Sequence, residues 1–467
     1  MLKNKKLFII LITLFFYIIF SQKTFALTLS HPEEQHMTVS EDGIFFSGKI
    51  GKYENVYINN VLMHPEKSGA FSYSFPLNEG ENIFAVQVKD LFLKTETIKY
   101  TIKRVSPQHE QNYNKFVEQT PQYYITMKDN VVLRSTPIDE GMNRLGYLPT
   151  DTKVFVDGTT NEFSRVYLSP NNYGWVMTKH IKSITDSEKN NNYIPISILS
   201  TEQTKTNSDT TYTVTLSDNC PYSAISDGEK LTITLYNLDN DDEMFSKEFN
   251  LGNFPRYSVI MQNGVLYVML KNTPITNKNY SNRNVKIIID AGHGGKDTGA
   301  VGCLGDKEKI LNLDIALKLK KILEEHNFRV IMTRETDKFV PLNDRIKLAK
   351  DNNALIFVSI HLNSVPISSN PNLNQGTIVY YFNSQSKDLA QSLSKSISNE
   401  LGTINGGASQ ASLAVARPTE YIGVLAELVY LVNPKDVVIY KNKKFTSNAA
   451  LSLYKGITDY IHTEIEK

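Results

Sequence analysis

Two histidines close apolar runs in the carboxyl-terminal part of the chain. His293 lies just beyond KIIID, in the loop AGHGGKDTGA, and His361 directly follows ALIFVSI. Each run reads as a buried strand, and in open α/β sheets ligands gather beyond the carboxyl ends of strands. One histidine there is most simply a satisfied or solvated side chain, whereas two at two such ends can converge on one metal ion. Gly292, Gly294 and Gly295 allow a sharp turn with little bulk around the first imidazole. A hydrolytic zinc site takes three protein ligands and leaves a position for water. The third candidate is Glu308, at the start of the helical run Lys307–Glu325, where the helix dipole alone would also favour a carboxylate. Only two cysteines occur, Cys220 and Cys303, so a thiolate-rich metal site is excluded and a His–Glu–His set is the natural completion.

Glu427 stands inside the apolar stretch YIGVLAELVYLV. An unpaired charge buried there would cost several kcal/mol, so it requires a reason. Arg417 or Arg345 could pair with it; the alternative is a proton-transfer role beside the metal, from water to a leaving amine. Asp290, Asp297 and Asn363 are candidates for orienting the ligating imidazoles, and Arg345 reads as structural.

These residues need a scaffold. From Val285 onward, strand-like runs (Lys286–Asp290, Arg329–Met332, Leu355–Ile360, Thr377–Phe382, Val424–Leu428) alternate with helical ones (Lys307–Glu325, Leu342–Asn352, Lys387–Leu401, Phe445–Glu466). That pattern predicts a carboxyl-terminal α/β catalytic domain with a mostly parallel sheet over 285–467. Upstream, short alternating runs separated by turn residues predict three small all-β domains. The first, 27–105, contains Phe45–Ile50, Asn55–Ile58 and Ala70–Phe75 and resembles an immunoglobulin-like β-sandwich. The second, 122–183, resembles a bacterial Src-homology-three-like β-barrel with the sole tryptophan, Trp175, in a turn, as a core anchor or a ligand platform. The third, 193–280, resembles a wall-targeting β-sandwich, with Tyr212–Leu216, Leu231–Leu235 and Val265–Leu270 as strands. Polar linkers are expected at 106–121 and 184–192.

The 467 residues suit three or four domains at roughly 150 residues each. Lys plus Arg number 50 against 49 Asp plus Glu, a balance that excludes a general nucleic-acid binder. Lys3, Lys5 and Lys6 precede the apolar run Leu7–Phe20 and a polar stretch ending at Ala26. The run is shorter than the roughly 20 residues of a membrane span, so 1–26 reads as an export signal, with an uncleaved anchor as the alternative. The expected location is the cell wall, the periplasm or the extracellular space. The two cysteines fall in different expected domains and are expected to be free.

Four segments in order, IIIDAGHGGKDTGAVG, KEKILNLDIALKLKKIL, RIKLAKDNNALIFVSIHLNS and GVLAELVYLVNPKD, resemble the zinc-dependent N-acetylmuramoyl-L-alanine amidase family, over Val285–Lys467. The resemblance implies one Zn2+ per catalytic domain, held by His293, Glu308 and His361, with Glu427 as the catalytic glutamate. It implies hydrolysis of the amide between the lactyl group of N-acetylmuramic acid and L-alanine in peptidoglycan, by a monomer whose activator, if one is needed, is unknown. LVYLVN after Glu427 departs from the glycine and aromatic usual in the family. The interval from His361 to Glu427 is accounted for by a strand, a helix and the loop Pro366–Gln375, so no long inhibitory insert is expected. A non-catalytic wall-binding scaffold and a zinc peptidase acting within the stem peptide are the alternatives.

Overall fold

A computed structural model of the chain describes residues 25–91, 94–105, 116–160, 162–184, 196–240, 242–271 and 281–466. The expected export signal lies outside these residues except for Phe25 and Ala26, as do 106–115 and 185–192 of the two expected linkers.

Six strands in the carboxyl-terminal part form one sheet, in the order Arg329–Met332, Lys286–Ala291, Ile356–Asn363, Ile422–Tyr430, Thr377–Tyr381, Asn405–Gln410. The first four pair in parallel, Thr377–Tyr381 runs antiparallel to Ile422–Tyr430, and Asn405–Gln410 runs parallel to Thr377–Tyr381. Both faces are covered, which is why the central strands are continuous apolar runs rather than alternating ones. Ile287, Ile289, Val358 and Val424 share a core with Leu319, Leu393 and Leu453 of the helices Glu308–Glu325, Lys387–Leu401 and Phe445–Glu466. Ile288, Phe357 and Leu425 form a second core with Ala349 of the helix Leu342–Asp351. His361 and Glu427 are register partners on neighbouring parallel strands.

Two elements here depart from expectation. Asn405–Gln410 is a strand despite its sequence NGGASQ, because ladder pairing with Thr377–Tyr381 supplies what apolar alternation does not. Pro434–Tyr440 is a short helix capped by the Asn433 side chain, which accepts from Lys435 N.

Upstream, a three-stranded sheet (Thr28–His31, Gly43–Lys49, Ala70–Pro76) and a five-stranded sheet enclose Ile44, Phe46, Phe71, Val86 and Ile102. The next sheet has seven strands and begins at Val117, inside the expected linker, because Val117 and Glu118 pair with Thr159 and Gly158. Trp175 lies not in a turn but in the strand Asn172–Met177, half-buried and edge-on to Phe116 at 6.1 Å. Between Ile198 and Lys271, a four-stranded and a three-stranded sheet close around Val214, Leu231 and Leu266. Cys220 and Cys303 are both free and buried.

The third β unit meets the amino-terminal ends of the parallel strands. Phe254, fully buried, enters the main α/β core and packs edge-on against Tyr460 at 6.0 Å. Tyr257 N donates to Thr419 O at 2.9 Å, Thr419 Oγ1 returns a bond to Tyr257 O at 2.7 Å, and Arg256 donates to Ala354 O at 3.0 Å. The first β unit meets the opposite ends: Ala70 belongs to the α/β core, and Ile367 packs against the core of the first β unit.

Candidate metal centre

The Lys286–Ala291 strand ends in a backbone reversal. His293 has φ 60°, Gly294 130° and Gly295 57°, so three successive residues occupy positive φ. A histidine tolerates that conformation better than most side chains, but it is held there by its surroundings. Two buried arginines supply the hold. Arg345 pairs with Asp290 and donates to Ala291 O and His293 O, each at 2.9 Å. Arg334 donates to Ala291 O, Gly292 O and Lys309 O, each at 2.8 Å. Asp290, expected to orient an imidazole, instead accepts from Thr333 and Ser359 at 2.6 Å and from Arg345. It reaches His293 only through that arginine.

Three donor groups meet at the strand ends. His293 Nε2 is 3.1 Å from Glu308 Oε2, and His361 Nδ1 is 2.9 Å from Glu308 Oε1. The ligand atoms all lie within 4.8 Å of one another. Glu308 opens the helix Glu308–Glu325, and its buried carboxylate is aimed by Ala300 N at 2.8 Å, Leu362 N at 3.1 Å and Asn312 Nδ2 at 3.0 Å. Asp297 Oδ2 is 2.9 Å from His293 Nδ1, which leaves Nε2 facing Glu308. Asn363, also expected beside an imidazole, accepts from Ser364 N at 2.8 Å and hydrogen-bonds the Tyr380 oxygen through its amide.

Burial disfavours charge on both imidazoles, but Glu308 outweighs it: His293 is pushed up to about 9, with Asp297 assisting, and His361 is also raised. Burial would raise Glu308, yet hydrogen bonds from the two imidazoles hold it well below the usual carboxylate range. A cation is therefore wanted between these groups. Two nitrogens and one carboxylate oxygen match the donor set zinc takes in hydrolytic sites. The cradle is kept open by glycine: a Cβ at Gly292 would overlap the His361 ring, and one at Gly299 would overlap the Glu308 carboxylate and the His293 ring.

Glu427 pairs with neither candidate arginine, because Arg345 is engaged by Asp290 and Arg417 donates to Ser412 O at 3.0 Å. Its Oε2 is buried and has no hydrogen-bond partner among the described residues. Burial pushes its carboxyl up to about 7; Glu308 adds to this and the imidazoles oppose it. Sequence reasoning missed Arg334 and Asn312. Asn312 was readable from its place one helical turn beyond Glu308, whereas Arg334 sits among charged residues that resemble a solvated loop.

Residues 287–459 match the family described as N-acetylmuramoyl-L-alanine amidase. A probable cell wall amidase, LytH, of Staphylococcus saprophyticus is 36% identical over 176 residues, which cover 37% of this chain and 57% of that relative's length. The germination-specific N-acetylmuramoyl-L-alanine amidase of Bacillus subtilis is 30% identical over 194 residues, covering 37% of this chain and 78% of that one. The solved catalytic domain of CwlV, an N-acetylmuramoyl-L-alanine amidase from Bacillus (Paenibacillus) polymyxa, is 37% identical, covers 38% of this chain and 98% of that one, and has a TM-score of 0.36. By these sequence matches, the chain belongs to the N-acetylmuramoyl-L-alanine amidase family.

Proposed function

We propose that the protein hydrolyses the amide bond joining N-acetylmuramic acid to the L-alanine of the stem peptide in peptidoglycan. The observation that carries this reading is the convergence of His293, Glu308 and His361, with the unpartnered oxygen of Glu427 on the neighbouring strand. His293 Nε2, His361 Nδ1 and the Glu308 carboxylate would hold one zinc ion. When bound, zinc supplies a Lewis acid for the scissile carbonyl and acidifies water toward a pKa of about 7.

The protein's own residues do the rest. Asp297 keeps the Nδ1 proton of His293 and so presents Nε2 to the site. Arg334 and Arg345 fix the carbonyls on either side of that imidazole, so the ligand is in place before substrate arrives. Glu427 takes a proton from the attacking water and delivers it to the departing amine of L-alanine. Its burial makes it a stronger base than an exposed glutamate. The β units suit the delivery of this site to wall polymer by an exported monomer.

Digestion of purified peptidoglycan by the full chain tests the reading. The wild type should release stem peptides with free L-alanine amino termini and leave the glycan intact. Glu427→Gln should retain zinc and lose about 10²- to 10⁴-fold in turnover. Cleavage only between amino acids, or undiminished turnover in the variant, overturns it.

A further inference from the structure

The chain leaves the metal centre along three segments: between His293 and Glu308, after His361, and after Glu427. One residue of the first β unit touches all three. Ser72, on the strand Ala70–Pro76, is 1% exposed. Its hydroxyl donates to Val432 O at 2.9 Å, just past the Glu427 strand, and lies 3.6 Å from Cys303 Sγ, in the segment between His293 and Glu308. Its carbonyl accepts from Asn372 Nδ2 at 2.7 Å, in the segment after His361. The same three segments are knotted to one another behind it. Cys303 Sγ also donates to Val432 O at 3.1 Å, Cys303 N reaches Leu431 O at 3.2 Å, and Leu431 N reaches Asn363 O at 2.9 Å. Ser30 adds a bond from its hydroxyl to Cys303 O at 3.0 Å.

We propose that Ser72 is a positioning residue for the metal centre, holding the three exit segments in the one arrangement that brings His293, Glu308, His361 and Glu427 together. Ser72 touches none of these four residues and acts through Cys303, Asn372 and Val432. Metal sites are sensitive to such supports, because a ligand displaced by a fraction of an ångström binds and orients less well. The amino-terminal β unit thus completes the site that the α/β unit carries. Only the activity arm of the test rests on the function proposed above; zinc binding is independent of it.

The test compares full-length Ser72→Ala, Asn372→Ala, Ser72→Thr and, at the opposite end of the sheet, Thr419→Val. For each, the zinc dissociation constant is measured by competition with a chelator, alongside the thermal midpoint, kcat and KM. Ser72→Ala should weaken zinc binding roughly tenfold and lower kcat more than it raises KM. Asn372→Ala alters an exposed side chain and should shift zinc affinity in the same direction by less, so it decides the matter if Ser72→Ala does not fold. Ser72→Thr, which keeps the hydroxyl, should restore zinc affinity. Thr419→Val should lower the midpoint and leave zinc affinity unchanged. The proposal is overturned if Ser72→Ala and Asn372→Ala hold zinc as tightly as the wild type, or if Thr419→Val weakens it equally. A wild type that binds zinc yet releases no stem peptide would refute the proposed function and leave the zinc comparison standing.

Discussion

The two ends of the parallel strands are fastened in different ways. At the amino ends, the third β unit inserts a whole phenylalanine, Phe254, into the α/β core and adds reciprocal bonds between Tyr257 and Thr419. At the carboxyl ends, the first β unit presents Ala70, Ser30 and Ser72 to loops that bound the metal centre. Apolar burial scales with area and is indifferent to direction, so a bulky side chain gives strength without fixing a coordinate. Hydrogen bonds contribute modestly to stability but demand a distance and an angle. The amino-end seam has hydrogen bonds as well but adds a large apolar anchor, which suits an end that has to hold; the carboxyl-end seam joins small side chains by hydrogen bonds to the loops themselves, which suits an end that has to place ligands.

The contrast yields effects of graded size. Phe254→Ala should cost about 3–5 kcal/mol of stability and leave zinc affinity per folded molecule unchanged; a loss of zinc in calorimetric titration would break the contrast. Gly292→Ala should do the reverse. The new methyl would press on the His361 ring, weakening zinc about 10- to 100-fold with a smaller change in the metal-free midpoint. If the metal-free protein unfolds first, the carboxyl end bears load after all.

A pH series gives the smallest effect. In the metal-free protein His293 is held at about 9, above its ordinary 6.5, so its proton stabilises the fold fully below about 6.5 and that contribution is lost as pH rises through 9. Zinc requires the neutral imidazole. The gain in thermal midpoint on adding zinc should therefore grow between pH 6.5 and 9 for the wild type. It should grow in the same way for Phe254→Ala, whose defect lies elsewhere.

Much of the site was legible because its chemistry is local. His293 and His361 follow apolar runs, Glu308 opens an amphipathic helix, and Glu427 breaks an apolar strand. Element ends were less legible: the Glu427 strand spans Ile422–Tyr430, where the pattern gives only Val424–Leu428, since its ladder with Ile356–Asn363 already begins at Ile422 and Gly423 and runs on to Tyr430. Asp290 was read as an imidazole partner because nothing in the sequence shows that Arg345 would fold back onto it. The serines were least legible of all. Ser30, Ser47 and Ser72 lie on three different strands with nothing in the sequence to join them, and only the packed molecule shows Ser47 and Ser72 fully covered. Two cysteines are too few for a thiolate-rich metal site, and nothing in the sequence shows that Cys303 stands at the centre of the carboxyl-end seam.

That thiol gives the seam a built-in clock. Burial pushes Cys303 up to about 11, so at neutral pH the reactive thiolate is scarce, and its sulfur is shut in beneath Ser72. Cys220, buried in the third β unit and pushed up to about 12, is silenced in the same way but by a core that opens only when that unit unfolds. The rate at which a soluble disulfide captures Cys303, set against its rate for Cys220, therefore counts how often the first β unit lifts from the catalytic face while the rest of the molecule stays folded.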